Sequence, residues 1–191
     1  MKITVGVPVF NGGEMLHDAL RCLAEQSFAD FQVLIFDNTS TDNTPDIAAE
    51  FASRDRRFKH VRHSQNRGPG QNFIDVLEAA DTPYFLWRAH DDASDKNFLE
   101  VCLANLEAAP KAKLSVGCVV SERLSDSKIV KTRTIPFALR EHSNHLADLE
   151  YNLTNMHQAW FYGLWRHDHL KDLFRRVTKA YPHHWASDVL M

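Results

Sequence analysis

Two adjacent carboxylates, Asp91 and Asp92, close the run Tyr84-Phe85-Leu86-Trp87-Arg88-Ala89-His90. An apolar stretch this short suits a buried strand, and acids released at its carboxyl end are how open α/β sheets build ligand sites. Neighbouring carboxylates repel, so the pair invites a metal ion, a proton or a cationic partner. The same acids could instead belong to a helix start, with Ser94 and Asp95 capping a helix from about Lys96. Composition at this one place does not separate the two readings, and the elements around it must decide.

Those elements alternate. Ile3 to Phe10 is apolar and β-branched, as a strand covered on both faces would be. Pro8 has no amide to donate, so pairing should fail there and the chain should leave the sheet at Asn11-Gly12-Gly13. Met15, Leu16, Ala19, Leu20 and Leu23 recur at helical spacing. Phe31 to Phe36 is a second strand, ending in the loop-forming run Asp37-Asn38-Thr39-Ser40-Thr41-Asp42. Thr44 followed by Pro45 marks the next helix start, with Ile47 and Phe51 inward. Phe58 to Val61 makes a third strand, and Ser64 to Gly70 a loop rich in breakers. A helix from about Gln71 turns Phe73, Leu77 and Ala80 inward. The strand before Asp91 follows, then a helix with Leu99, Cys102, Leu103 and Leu106 on one face, ended by Pro110. This order predicts an α/β fold with a mostly parallel sheet flanked by helices. Leu114 to Val120 is read as a fifth strand and Ile129 to Ile135 as an edge strand or hairpin arm. Leu146 to Leu153 is expected to be helical, as is the segment holding Leu170, Leu173, Phe174 and Val177.

The 191 residues, 44% hydrophobic and 25% charged, fit one globular domain over 1–191. A net charge of -3 supplies no basic footprint for nucleic acid. Cys22, Cys102 and Cys118 lie far apart without a CxxC pair, which suggests buried thiols in a reducing, cytoplasmic setting. There is no basic-then-apolar leader in the first ten residues and no apolar run of the ~20 residues that spans a bilayer. The eleven histidines are scattered, with His167-x-His169 and His183-His184 the close groups, and are read as solvated or hydrogen-bonding. The chain stops on Val189-Leu190-Met191, an apolar helix start, as a piece truncated at its C-terminus would.

Three strand ends carry polar residues: Pro8 to Asn11, Asp37 to Asp42, and His90 to Asp92. In a parallel sheet all three face one edge, where strand order reverses and ligands bind. No GxxxxGK[ST] loop, no GxGxxG after the first strand and no GxSxG elbow is present. A phosphate-bearing ligand would therefore need a metal. Mg²⁺ and Mn²⁺ favour carboxylate oxygens, often one or two together with the ligand's own phosphates.

Val7-Pro8-Val9-Phe10-Asn11-Gly12, Phe36 to Asp42, Asn66-Arg67-Gly68 with Asn72, and His90-Asp91-Asp92 together resemble the family 2 glycosyltransferases of GT-A fold. The likeness is strong over about the first 110 residues. It implies a nucleotide-sugar-binding half over 1–110 and an acceptor-side half over 111–191. It implies that Pro8, Phe10 and Asn11 line the base and ribose and that Asp37 helps to hold them. Asn38 stands where a second Asp often contacts uracil, and its amide could still pair with a base edge. Arg67 is read as approaching the diphosphate or donor sugar, or alternatively as a solvated loop residue. His90-Asp91-Asp92 resembles the family's DxD-type motif, with His90 in place of the leading acid. By that likeness Asp91 touches ribose or sugar and Asp92 holds a divalent cation, Mn²⁺ or Mg²⁺, that bridges the diphosphate. Asp188 matches the family's late acid, the general base of inverting members, and could equally open a helix. The aromatic run Trp160 to Trp165 falls where such enzymes shape the acceptor side.

The activity so implied is metal-dependent, inverting transfer from a nucleotide-sugar, a UDP-sugar ranking first, to a saccharide or lipid-linked acceptor. The setting would be cell-surface polysaccharide or glycolipid synthesis, with peripheral association at the inner face of a membrane. Two alternatives stand beside it. One is a nucleotide-sugar-binding fragment without turnover. The other is a nucleotidyltransferase of similar fold, disfavoured because Asn11-Gly12-Gly13-Glu14 lacks a Lys or Arg.

Overall fold

The computed structural model describes residues 1–125, 128–135 and 158–180. Four β-α pairs come first: β1 (Ile3–Val9), α1 (Gly13–Ala24), β2 (Phe31–Asp37), α2 (Thr44–Arg54), β3 (Phe58–Arg62), α3 (Pro69–Ala79), β4 (Tyr84–Trp87) and α4 (Phe98–Ala108). Next are β5 (Leu114–Ser115), β6 (Val119–Ser125), β7 (Lys128–Ile135), a 3₁₀ turn (Gln158–Tyr162), β8 (Leu164–Arg166) and α5 (His167–Ala180). The main sheet has six strands in the order β3-β2-β1-β4-β8-β5. β1 to β4 pair in parallel, and β8 lies antiparallel between β4 and β5.

The expected α/β order holds, with differences of detail. The run Leu114 to Val120 is divided between β5 and β6, and β6 pairs with β7 in a separate hairpin. Ser94 and Asp95 are not helix caps: α4 begins at Phe98, after Asn97. The helix expected over Leu146 to Leu153 lies outside the described residues.

Alternate side chains of the central strands enter two cores. Val5, Val7, Val33, Ile35 and Leu86 pack with Leu16, Leu20, Ile47, Leu99 and Leu103 on one face. Leu34, Phe36, Phe85 and Trp87 pack with Val76, Leu77, Phe161, Leu170 and Phe174 on the other. Burial on both faces explains why these strands read as unbroken apolar runs. The Trp87 and Phe161 rings stack at 4.5 Å and 5°. Phe161 and Trp165 are both buried, and Trp165 Nε1 donates to Phe161 O at 3.0 Å. Much of the aromatic run expected on the acceptor side is thus core.

Pro8 does not end the β1–β2 ladder, whose register continues to Val9 opposite Asp37. Alternate residues of a parallel strand address alternate neighbours. Val9 O accepts from Asn38 N on the β2 side, and Gly6 O accepts from Arg88 N on the β4 side. The missing Pro8 amide therefore falls on the β4 side, where pairing stops at Gly6 opposite Trp87. β1 and β2 run on together while β4 turns away. Strand order reverses between β1 and β4, the place where open α/β sheets form their ligand crevice.

The turn after β1 is fixed to the start of α2. Thr44 Oγ1 is buried and accepts from Gly12 N at 2.8 Å and Gly13 N at 3.1 Å. Gly13 has φ +49°, a conformation that suits glycine.

Thr44→Val keeps the shape of the side chain but orphans both amides. It is expected to cost about 1–3 kcal/mol, read as a lower urea midpoint, with Thr44→Ser largely retaining stability. At the opposite side of the sheet, a Cβ on Gly163 would lie 2.6 Å from Leu114 Cδ1 and 2.7 Å from the Ser115 carbonyl oxygen. Backbone cannot step aside as a flexible side chain can, so Gly163→Ala should cost about 1–3 kcal/mol, seen as a lower melting temperature.

Candidate functional site

Four loops meet at the carboxyl edge of β1 to β4, and hydrogen bonds or close packing join them. Asn11, left-handed at φ 52°, donates its amide to Ser40 Oγ at 2.9 Å and accepts from Thr41 N on Oδ1 at 2.8 Å. The β1 and β2 loops are therefore one unit. The His90 ring completes a third contact: a Cβ on Gly12 would lie 3.2 Å from His90 Cδ2. Absence of that Cβ lets the β4 loop approach the first turn. Asn38 reaches the fourth loop, after β3. Its Nδ2 donates to Asn66 Oδ1 at 3.1 Å and to Gly68 O at 3.2 Å, and its Oδ1 accepts from Arg67 N at 2.8 Å.

The expected site residues differ in what they can reach. Phe10 is 47% exposed beside buried Pro8, so its ring is available to a planar ligand. Asp91 and Asp92 are exposed at the start of the loop between β4 and α4. Asp37 is fully buried. Its Oδ1 accepts from Ser40 N at 2.8 Å, and its Oδ2 lies 3.3 Å from Arg62 Nε and 3.9 Å from His60 Nε2. Contact between Asp37 and a base or ribose would require that network to open. Burial holds His60 below its ordinary pKa, opposed by the Asp37 charge. Asn38 is buried and its amide is committed to the 66–68 loop, not turned to a base edge. Arg67 pairs with Asp75 Oδ2 at 2.6 Å while remaining partly exposed, so it is neither a freely solvated residue nor committed to a ligand. Asn72 is a buried brace, donating to Phe36 O at 2.9 Å. Asp188 and the His183-His184 pair lie outside the described residues. Asp42 acts locally: its Oδ1 accepts from Thr44 N at 3.0 Å. Desolvation of its carboxyl would raise its pKa, but bonds from Thr44 outweigh that and hold it low.

Arg88 was not singled out by sequence reasoning. It continues the β4 register into the apolar layer beside α4 and is 6% exposed. Nη1 donates to Ala93 O at 3.4 Å, the guanidinium lies over the Phe98 ring at 5.4 Å, and Nε and Nη2 have no hydrogen-bond partner among the described residues. Burial lowers its pKa, opposed by the charge of Asp92. For Asp92, burial around the carboxyl raises the pKa, Arg88 opposes this, and Asp91 adds to it. The signal in the sequence was a basic residue one step past an apolar strand. His167 is buried too, its nitrogens directed at Thr82 O and Leu77 O, which makes it a brace between α3 and α5. Cys102 is buried as expected, while Cys118 is exposed.

Among the described residues no three His, Cys, Asp or Glu side chains cluster as metal ligands. An exposed pair of carboxylates still suits Mg²⁺ or Mn²⁺, which usually take one or two carboxylates and complete their shell with phosphate and water.

Comparison with known proteins fits this geometry. A Campylobacter jejuni protein named GalNAc(5)-diNAcBac-PP-undecaprenol beta-1,3-glucosyltransferase is 27% identical over 92 residues, covering 48% of this chain and 30% of that protein. The chain spans about a third of the length of the curated relatives it matches. Among solved structures, S. aureus TarS 1-349 in complex with UDP superimposes with a TM-score of 0.68 at 22% identity, covering 99% of this chain and 53% of that one. The mannosyltransferase PcManGT of Pyrobaculum calidifontis, in complex with GDP-Man and Mn²⁺, gives a TM-score of 0.56 at 24% identity over 62% of this chain and 35% of that one. These likenesses establish the GT-A fold. The family model described as glycosyl transferase family 2 matches residues 4–174, and the chain belongs to that family.

Proposed function

We propose that this chain is the donor-binding catalytic part of a glycosyltransferase. It would move a sugar from a nucleotide-sugar to an acceptor hydroxyl in cell-surface polysaccharide or glycolipid synthesis. The observation that carries the reading is the union of four loops at the β1/β4 crevice, with an exposed acid pair on one of them. Family membership supports the reaction class. The undecaprenol-linked name of the C. jejuni relative supports a lipid-linked acceptor, and the UDP and GDP-Man complexes support a nucleotide-sugar donor.

In this reading Phe10 offers its face to the base, and Asn11 shapes the backbone beside it. Asp37 contributes indirectly by ordering the loop that carries Ser40. Arg67 leaves Asp75 for the diphosphate. Asp91 would contact ribose or sugar, and Asp92 would hold Mn²⁺ or Mg²⁺. When bound, that cation neutralises charge on the departing nucleoside diphosphate. Asp188 accepts the acceptor's hydroxyl proton on the side opposite the leaving group, which inverts the anomeric centre. No helix among the described residues is long and apolar enough to cross a membrane. Surface association at the inner face of a membrane is the arrangement proposed for reaching a lipid-linked acceptor, supported by the undecaprenol-linked name of the C. jejuni relative.

Donor hydrolysis and transfer measured with Mn²⁺ or Mg²⁺ test the scheme. Asp188→Asn should lower kcat by about 10²–10⁴-fold while leaving donor affinity unchanged, and normal turnover would remove it as the base. Asp92→Ala, checked for folding by circular dichroism, should lose cation-dependent binding of UDP. Binding that keeps the same cation dependence would remove Asp92 as a ligand. Donor binding without turnover in the intact chain would support the binding-fragment reading instead.

A further inference from the structure

Every donor of the Asn38 side chain is committed within the protein. Nδ2 has two hydrogens, and two acceptors face it: Asn66 Oδ1 at 3.1 Å and Gly68 O at 3.2 Å. Oδ1 accepts from Arg67 N at 2.8 Å. The orientation of the amide is over-determined. A backbone amide must meet an oxygen and a carbonyl must meet an N–H, so exchanging O and N would spoil both backbone bonds and, with Asn66 Oδ1 fixed as an acceptor, the third as well. Asn66 is held in turn, since its Oδ1 also accepts from Gly68 N at 2.9 Å. Gly68 then enters α3 at φ 80°, and its carbonyl accepts from Asn72 N.

We propose that Asn38 is a positioning residue for Arg67 and does not read the nucleotide base. It ties the end of β2 to residues 66–68, setting the backbone from which the Arg67 guanidinium reaches a diphosphate. The inference rests on the donor-binding reading above. An aspartate at 38 would fail in this role: a carboxylate can still accept from Arg67 N, but it has no hydrogen for Asn66 Oδ1 or Gly68 O and would face both oxygens with negative charge. An amide turned to a base edge would surrender the same two bonds. Arg67 is thus held twice, through its backbone by Asn38 and through its side chain by Asp75. The side-chain hold is exposed and can exchange for another anion, whereas the backbone hold is part-buried and ends on the buried Asn38.

The test compares Asn38→Ala with wild type in two measurements. Amide hydrogen exchange on the free protein should show the Arg67 amide exchanging roughly tenfold faster, the expected effect of losing its part-buried side-chain acceptor. Calorimetry should show UDP and GDP both binding roughly tenfold more weakly, with uridine and guanosine affinity unchanged. A destabilised fold would not separate diphosphate from nucleoside in this way. Asn66→Ala removes the other half of the lock and should reproduce the pattern if Asn38→Ala folds poorly. Loss of uridine affinity along with UDP would overturn the proposal in favour of base reading. Unchanged UDP affinity despite faster exchange would overturn it as well. If wild type binds no nucleotide, the donor reading fails, while exchange at Arg67 still decides whether the lock exists.

Discussion

One missing hydrogen shapes the functional edge of this protein. Pro8 lies one alternation past Gly6 on the same side of β1, and its nitrogen falls on the side that faces β4. Without a donor there the β4 ladder ends, while the β2 ladder continues to Val9. The loop after β4 is therefore released across from the turn after β1, not held alongside it. The β1 and β2 loops, which stay in register, can then cross-link through Asn11, Ser40 and Thr44. The crevice is a product of asymmetric pairing more than of any single side chain.

Its walls are rigid for a second reason. Asn11 and Thr39 occupy left-handed backbone conformations, and each has polar bonds to a neighbouring loop. A non-glycine residue holds such a conformation only where the surroundings over-determine it. The polar residues at the edge therefore divide by burial. Asp37, Asn38, Thr44 and Asn72 are internal and fix the backbone, whereas Phe10, Asp91 and Asp92 face outward. Arg88 belongs to neither group. It is a buried cation beneath an acid pair, and its charge partly offsets the repulsion of two carboxylates next to one another.

The alternation of elements was legible because strands covered on both faces carry unmistakable apolar runs. Leu16, Leu20 and Leu23, or Leu99 and Leu106, declare their inner faces by spacing alone. Which strand ends would share an edge followed from parallel connectivity. What spacing could not reveal was the direction of a polar side chain. Asp37 and Asp91 look alike as acids at strand ends, yet one is fully buried and the other exposed. That difference depends on the pairing of β2 with β3, which brings Arg62 to Asp37. β8 escaped notice because two of its three residues sit inside an aromatic run that resembles a binding surface as much as a strand. Pro8 was recognised as a break in pairing, but a sequence does not say which of two neighbours loses the bond.

The placement of β8 has a consequence for how the chain is made. Tyr84 and Phe85 pair with Arg166 and Trp165, and Trp87 is covered by Phe161 and Phe174. Contacts over so many residues form slowly. During synthesis the first four β-α pairs emerge with one apolar face of β4 covered only in part, by α3, and it stays so until about seventy further residues have left the ribosome, on the order of 4–14 s at ordinary elongation rates. In that interval Phe85 and Trp87 lack the cover that Phe161, Leu170 and Phe174 later provide. Any shortened variant or proteolytic fragment ending before α5 would carry that exposure permanently.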